Sequence, residues 1–147
     1  MRIVIGAPAN GAELKQAVLE KLQQDPRVSE VVDLSRDEAT YPEVSFQVAE
    51  AIAEGRFDRG ILICGTGIGT AIAANKVAGI RAATAHQIVG VRGAVENYDA
   101  QILCFGQNVI APAAASALID VWLDARHDPA GSYAPKLVEI AEREARA

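Results

Sequence analysis

Five short runs of the chain are apolar and rich in Val, Ile and Leu: Arg2–Gly6, Glu30–Leu34, Gly60–Cys64, Arg81–Ala85 and Gln101–Phe105. Between them apolar residues recur with helical period. Leu14, Val18 and Leu22 form one stripe over Ala12–Gln23; Val44, Val48, Ala51 and Ile52 do the same over Glu43–Glu54. Thr70–Lys76, the stretch after His86 and Pro112–Leu123 read as further helices, and Ala134–Ala147 as a charged amphipathic one. Continuous apolar strands alternating with helices predict a parallel sheet covered on both faces. The expected fold is a three-layer α/β/α sandwich formed by a single domain over residues 1–147, with no repeat or linker.

Sheets of this kind take ligands beyond the carboxyl ends of their strands. That edge is predicted to hold Ala7–Gly11, Cys64–Thr70, His86–Gln87 and Gly106–Asn108. The informative stretch is Gly60-Ile-Leu-Ile-Cys-Gly-Thr-Gly-Ile-Gly-Thr70, where a strand ends at Cys64 and a loop with Gly65, Gly67 and Gly69 opens a helix. Glycines let backbone approach a ligand closely, and a helix start offers unpaired N–H groups to an anion or a developing oxyanion. The same surroundings lower a thiol's pKa. A thiolate beside an oxyanion-stabilising loop can remove a proton from carbon next to a carbonyl. The plainer alternative is a core cysteine whose glycines serve only the turn. The glycine spacing does not match G-x-G-x-x-G, and no acidic residue ending the next strand awaits a ribose, which argues against a nicotinamide enzyme.

The 147 residues are 50% hydrophobic and 22% charged, enough apolar material for a core without staples. A net charge of -5 speaks against nucleic acid or an anionic membrane as the main partner. No run approaches the about 20 apolar residues a membrane crossing needs, and Met1–Gly6 does not open a secretory signal. A cytoplasmic chain with reduced Cys64 and Cys104 is expected. Two His and two Cys without ligand spacing predict no metal site.

The run Arg59-Gly-Ile-Leu-Ile-Cys-Gly-Thr-Gly-Ile-Gly-Thr-Ala-Ile-Ala-Ala-Asn-Lys76, followed by Gly79-Ile-Arg-Ala-Ala83, resembles the signature of the type B ribose-5-phosphate isomerases and the related galactose-6-phosphate isomerase subunits. Weaker agreement covers Ile3–Gly6 with Gly11, Glu13, Leu14 and Lys15, then Val32–Leu34, Tyr41-Pro42, Glu96 with Asp99-Ala100, and Ile102–Gly106. The resemblance implies a Rossmann-like sandwich with a five-stranded parallel sheet and no metal or organic cofactor. It also implies a homodimer, sometimes paired into tetramers, with the active site at the interface. By resemblance Cys64 is the catalytic base and Thr66 orients the substrate. The amides of Gly65, Gly67, Ile68, Gly69 and Thr70 would bind the enediolate, and Asn97 and Tyr98 would reach it from the partner. The helix from about residue 132 would pack on that partner.

The chain also departs from the pattern. Pro8-Ala9 stands where the family has Asp-His, with Asn10 as a partial substitute. Asn97-Tyr98 stands where a His-Asn pair would put the ring-opening histidine. Two phosphate-binding arginines fall on Ser132 and Leu137, leaving Lys136 and Tyr133 near by. Each lost charge-assisted bond to a phosphate is worth roughly 1.5–3 kcal/mol, so the usual sugar phosphate would bind poorly in the usual way. A small open-chain substrate is expected, a phosphorylated or otherwise anionic tetrose or pentose: one that cannot close a ring, such as a tetrose phosphate or a sulfonated tetrose, or one carrying a different terminal group.

The expected activity is therefore cofactor-independent aldose–ketose isomerisation through a cis-enediolate. The competing reading is a catalytically silent or sugar-binding subunit of a hetero-oligomer; nucleotide binding rests on fold analogy alone. His86, at the end of the fourth strand, is either a proton relay beside the site or a structural hydrogen-bonding residue. His127 reads as solvated, Tyr41-Pro42 as a helix start that also overhangs the pocket, Cys104 as core, and Glu139/Arg143 as a solvated helix pair.

Overall fold

A computed structural model of residues 1–147 contains five parallel strands: β1 (Arg2–Gly6), β2 (Glu30–Asp33), β3 (Arg59–Cys64), β4 (Ala82–Thr84) and β5 (Ile102–Gly106). They form one sheet in the order β2-β1-β3-β5-β4. Six helices connect and cover them: α1 (Ala12–Gln23), α2 (Tyr41–Ala53), α3 (Ile68–Ala74), α4 (Ile88–Glu96), α5 (Pro112–Asp124) and α6 (Ala134–Glu144). The expected five-stranded α/β/α sandwich is the observed fold.

Element ends differ from the periodicity for local reasons. Helix α2 starts at Tyr41 rather than Glu43. The Thr40 hydroxyl accepts the Glu43 N–H at 3.4 Å, the Glu43 carboxylate accepts the Thr40 N–H at 2.7 Å, and Pro42 sits in the first turn. Helix α3 starts at Ile68 rather than Thr70, because Gly67 turns the chain with φ of 77°. Strand β4 shrinks to Ala82–Thr84, and α6 stops at Glu144.

Side chains alternate across the central strands. Ile3, Ile5, Ile61, Ile63, Leu103 and Phe105 pack with α1, α4 and α5 on one face. Val4, Leu62, Ile102 and Cys104 pack with α2 and α3 on the other. Trp122 of α5 is among the largest fully buried side chains, and Arg59 lies across its ring with the guanidinium carbon 5.5 Å from the centroid. Arg59 also donates to the carbonyls of Trp122 and Ala125, satisfying the C-terminal end of α5. At the amino edge of the sheet, buried Asp25 ties Arg27 and Lys21 to Asp120, joining α1 to α5. Hydrogen bonds from Arg27, against the opposing effect of burial, hold the Asp25 carboxyl well below the usual carboxylate range.

Chain direction reverses about β1 and β3: α1 leads left to β2, and α3 leads right toward β4, on opposite faces. The crevice between the tips of β1 and β3 is thus the sheet's switch point, where an open α/β fold leaves room for a ligand. Three glycines let the loops close on this tip. A β-carbon on Gly11 would meet the Ile63 carbonyl oxygen at 2.5 Å, one on Gly67 the Phe105 carbonyl carbon at 2.8 Å, and one on Gly106 the backbone of Thr66 at 2.6 Å. No helix is long and apolar enough to cross a membrane. Helix α6 buries none of its own residues and is tied back where the Gly79 N–H donates to Glu144 at 2.9 Å.

Candidate active site

Cys64 ends the central strand with only 6% of its surface exposed. The Gly67 N–H donates to its sulfur at 3.2 Å, and the Thr70 hydroxyl oxygen stands 3.6 Å from it. Thr70 is fully buried, and its one hydroxyl proton has two acceptors within reach, the sulfur and the Gly67 carbonyl at 3.2 Å. The Thr84 hydroxyl donates to that same carbonyl at 2.7 Å, so the loop's turn is held from α3 and from β4. Burial pushes the Cys64 thiol up, but hydrogen bonds from the Thr70 hydroxyl and from the N–H groups of Thr70, Thr66 and Gly67 outweigh it. The net pKa lies below the ordinary thiol value. Such a sulfur is poised to carry negative charge at the tip of a strand.

The loop's amides, expected from the resemblance to bind an enediolate together, divide their labour. That of Gly67 serves the sulfur, and that of Ile68 donates to the exposed Thr66 hydroxyl at 3.3 Å. The N–H groups of Gly65 and Gly69 stand outside this set. Gly69 lies beneath the Tyr41 ring, where a β-carbon would come within 3.0 Å of it. Tyr41 therefore both opens α2 and overhangs the loop. Asn10, on the 3-10 turn Ala9–Gly11 after β1, brings its side-chain nitrogen to 3.3 Å from where a Gly65 β-carbon would be.

His86 lies at the same edge with its ring centroid 5.9 Å from that of Phe105. Its Nε2 accepts the Gly106 N–H at 2.8 Å, which leaves the proton of the neutral ring on Nδ1. Burial keeps its pKa below the ordinary histidine value. The Nε2 atom is thus committed to backbone, and only the Nδ1 edge remains for proton exchange.

Asn97, Tyr98 and Lys136 do not join Cys64 within one chain. The Arg81 guanidinium, at the start of β4, donates to the carbonyls of Tyr98 (2.8 Å) and Asp99 (2.9 Å), which places this corner at the amino end of the sheet. There Tyr98 meets Tyr133 edge-on with centroids 5.5 Å apart, and Lys136 Nζ stands 4.5 Å over the Tyr133 ring. A hollow of about 330 Å³ beside them is lined by Asn97, Arg126, Ser132 and Tyr133, with Glu96 and Asp128. His127 is not solvated as the sequence led us to expect: it is half-buried, with Nδ1 2.9 Å from the Glu96 carbonyl oxygen.

Three residues of these two corners escaped the sequence reading. Asn108 mirrors Asn10 across Gly65, also at 3.3 Å. Gln107 accepts the Leu14 N–H at 3.0 Å, satisfying the start of α1. Arg126 donates to the Leu123 and Ala125 carbonyls and faces the amino-edge hollow. Gln107 and Asn108 did fall in a segment predicted at the ligand edge, but nothing in their spacing marked which amide would point where. The largest cavity, about 430 Å³, lies over the end of β2 among Asp33, Ser35, Arg36, Gln47, Glu50 and Arg56. Both signs of charge and a single apolar side chain make it a surface groove away from the thiol. No three His, Cys, Asp or Glu side chains gather as a metal-binding group would.

A strand-tip thiol at the switch point of a small α/β fold suits proton transfer at carbon. The chain belongs to the ribose/galactose isomerase family, which it matches over residues 3–140. It is 43% identical to D-erythrulose-4-phosphate isomerase 2 of Mycolicibacterium smegmatis, over 98% of this chain and 97% of that protein. It is 42% identical to D-erythrulose-4-phosphate isomerase of Pectobacterium atrosepticum, over 95% and 93%. The structure of Clostridium thermocellum ribose-5-phosphate isomerase B superposes with a TM-score of 0.92 at 38% identity, covering 99% of both chains. The chain is accordingly an aldose–ketose isomerase.

Proposed function

We propose that the chain interconverts the aldose and ketose forms of a four-carbon sugar phosphate through a cis-enediolate, with Cys64 as the base. The observation that carries this reading is the Cys64 sulfur at the switch-point crevice, taking the Gly67 N–H at 3.2 Å with its pKa held down by hydrogen bonds. The thiolate removes the proton from the carbon beside the carbonyl, and the electron pair moves onto the carbonyl oxygen to give the enediolate. The resulting thiol returns the proton to the neighbouring carbon as the second carbonyl forms. Atoms and electrons balance with no co-reactant. Amides of the Gly65–Thr70 loop hold the developing oxyanion, and Thr66 orients the chain of the substrate.

A four-carbon substrate is supported by two relatives above 40% identity whose names specify erythrulose 4-phosphate. It also suits a site with Asn97 where the family's ring-opening histidine stands: a tetrose phosphorylated on its terminal oxygen cannot close a five-membered ring. A sulfonated tetrose shares that property and differs in the terminal group.

The separation of Cys64 from Asn97, Tyr98 and Lys136 is resolved by a homodimer in which each partner's amino-edge corner faces the other's thiol. Exposed Ile68 and Ile72, one turn apart on α3 beside the thiol loop, offer apolar surface to a second copy, and Ile88 and Val89 are exposed at the start of α4 on the sheet's other face. In that arrangement Lys136 and Arg126 of the partner supply positive charge for the phosphate. The test is proton exchange in deuterated water with D-erythrulose 4-phosphate. The purified chain alone is expected to incorporate deuterium at carbon, and Cys64→Ala to lose that incorporation. Exchange by Cys64→Ala at the parental rate removes the thiol as base, and no exchange by the lone chain favours the silent-subunit reading.

A further inference from the structure

Three side-chain amides at the carboxyl edge, Asn10, Gln87 and Asn108, are left over once the fold's own hydrogen bonds are assigned, and two of them converge. Asn75 bonds both the N–H and the carbonyl of Ala82 at 2.8 Å, and Gln107 holds the Leu14 N–H, so these amides serve the fold. Asn10 and Asn108 are exposed and take no part in such bonds. They come from loops after two different strands, β1 and β5, and converge on Gly65 from the third, β3. Each side-chain nitrogen lies 3.3 Å from where a Gly65 β-carbon would stand, so the two are no further apart than two such spans. Any side chain at 65 would fill the gap between them.

Both loops are fixed relative to the thiol. The Gln107 N–H donates to the Cys64 carbonyl at 2.8 Å, and the Asn108 N–H to the Gly65 carbonyl at 3.0 Å. Gly11, next to Asn10, presses on the Ile63 carbonyl. Lys15, in the hollow beside Ala9 and Ala12, is paired with Asp33 at 2.7 Å, and Arg36 lines the same hollow. The gap itself is flanked by two uncharged groups that each present two N–H donors and one oxygen acceptor. That set matches hydroxyl and carbonyl oxygens, and it places no charge against the thiolate that would blunt its basicity.

We infer that Asn10 and Asn108 form a two-sided carboxamide clamp that holds the uncharged oxygen-bearing end of the substrate against Cys64. Asn108 is thereby assigned as a substrate-binding residue and Asn10 as its counterpart. The inference deepens the isomerase reading above and rests on it for the identity of the substrate. It orients the molecule: the reacting carbons lie between the amides.

A titration with the unreactive polyol erythritol 4-phosphate, followed by side-chain amide NMR signals, tests the clamp without turnover and works equally in Cys64→Ala protein. The Asn10 and Asn108 signals are expected to shift along one binding curve. Asn108→Ala and Asn10→Ala are each expected to weaken binding and lower kcat/KM roughly tenfold with unchanged melting temperature, as loss of a hydrogen-bonding partner predicts. Asn108→Asp, equal in size but without N–H donors, is expected to lose at least as much; a merely space-filling asparagine would be rescued by it. The clamp is overturned if the polyol phosphate binds without moving these signals or fails to bind, or if Asn108→Ala keeps parental kcat/KM. A Cys64→Ala enzyme that still exchanges protons would sink the base and leave the clamp standing.

Discussion

The two cysteines lie on neighbouring strands, and both are buried, yet their thiols are driven in opposite directions. Cys104 sits mid-strand opposite Leu62, among Val4, Val48, Ile102 and Ala74, and burial pushes its thiol up to about 12. Cys64 sits at a strand tip two residues further along the sheet, opposite Gly106. There N–H groups released by a turn and a new helix reach its sulfur and bring its pKa below the ordinary value despite burial. Both thiols interact with the Thr70 hydroxyl. Burial makes a thiol inert unless unpaired donors come with it, and in a parallel sheet such donors gather where a strand ends.

The comparison breaks most sharply on paired serine replacements. Cys64→Ser keeps the size but raises the acid's pKa by several units, so kcat is expected to fall by about 10² to 10⁴ with the melting temperature nearly unchanged. Cys104→Ser leaves kcat at the parental value and lowers stability instead; steady-state kinetics and calorimetry on the two variants check the pair. A kcat collapse in Cys104→Ser would show that the second thiol is not just core.

Gly67→Ala tests whether the turn is what delivers the donors. Its φ of 77° and the Phe105 backbone at 2.8 Å from the added carbon leave no easy conformation, so a loss of roughly 1–3 kcal/mol in denaturant unfolding is expected. The activity of the folded fraction should fall with it.

Thr70→Val removes a hydroxyl that holds the thiolate. Hydrogen bonds to charged groups contribute about 1.5–3 kcal/mol, which corresponds to about one to two pKa units. The sign follows from the proposed role: if the thiolate is the base, activity falls as pH drops through the folded-state pKa. In the parent the midpoint of this limb is expected below the free-thiol value of about 8.5. In Thr70→Val the whole limb should move upward by about one unit while the plateau at high pH is retained. A pH–rate profile that does not move would remove Thr70 from control of the thiol.

The mildest effect is that of Cys104→Ala, expected to cost about 1 kcal/mol, as for small truncations in a packed core. Iodoacetamide at neutral pH sharpens the contrast: Cys64 should be alkylated in the native protein, and Cys104 only after unfolding.

Much of this layout is legible along the chain. The alternation of Ile3, Val4 and Ile5, or of Ile61, Leu62 and Ile63, already assigns residues to opposite faces, because a strand's side chains alternate whatever packs on them. The helical stripes of α1 and α2 are equally local, as is the Thr40–Glu43 capping box once its pattern is read. The Cys64–Thr70 loop announces itself for the same reason: a strand end, three glycines and a helix start are neighbours in sequence. His127 misled because its partner, the Glu96 carbonyl, lies on another element. Boundaries such as the Ile68 start of α3 depended on a single backbone angle at Gly67.

The sequence by itself thus determined the layered α/β plan, the strand-tip thiol and the glycines around it, since each rests on period or on adjacent residues. Only the tertiary structure decided which groups meet. It committed His86 Nε2 to the Gly106 amide, turned the Gly67 N–H onto the sulfur, and set Asn10 and Asn108 on either side of Gly65. It also carried Asn97, Tyr98 and Lys136 to the opposite edge of the sheet. Such meetings depend on strand order and crossover direction, which bring residues far apart in the chain within a hydrogen bond's reach and leave no trace in local spacing.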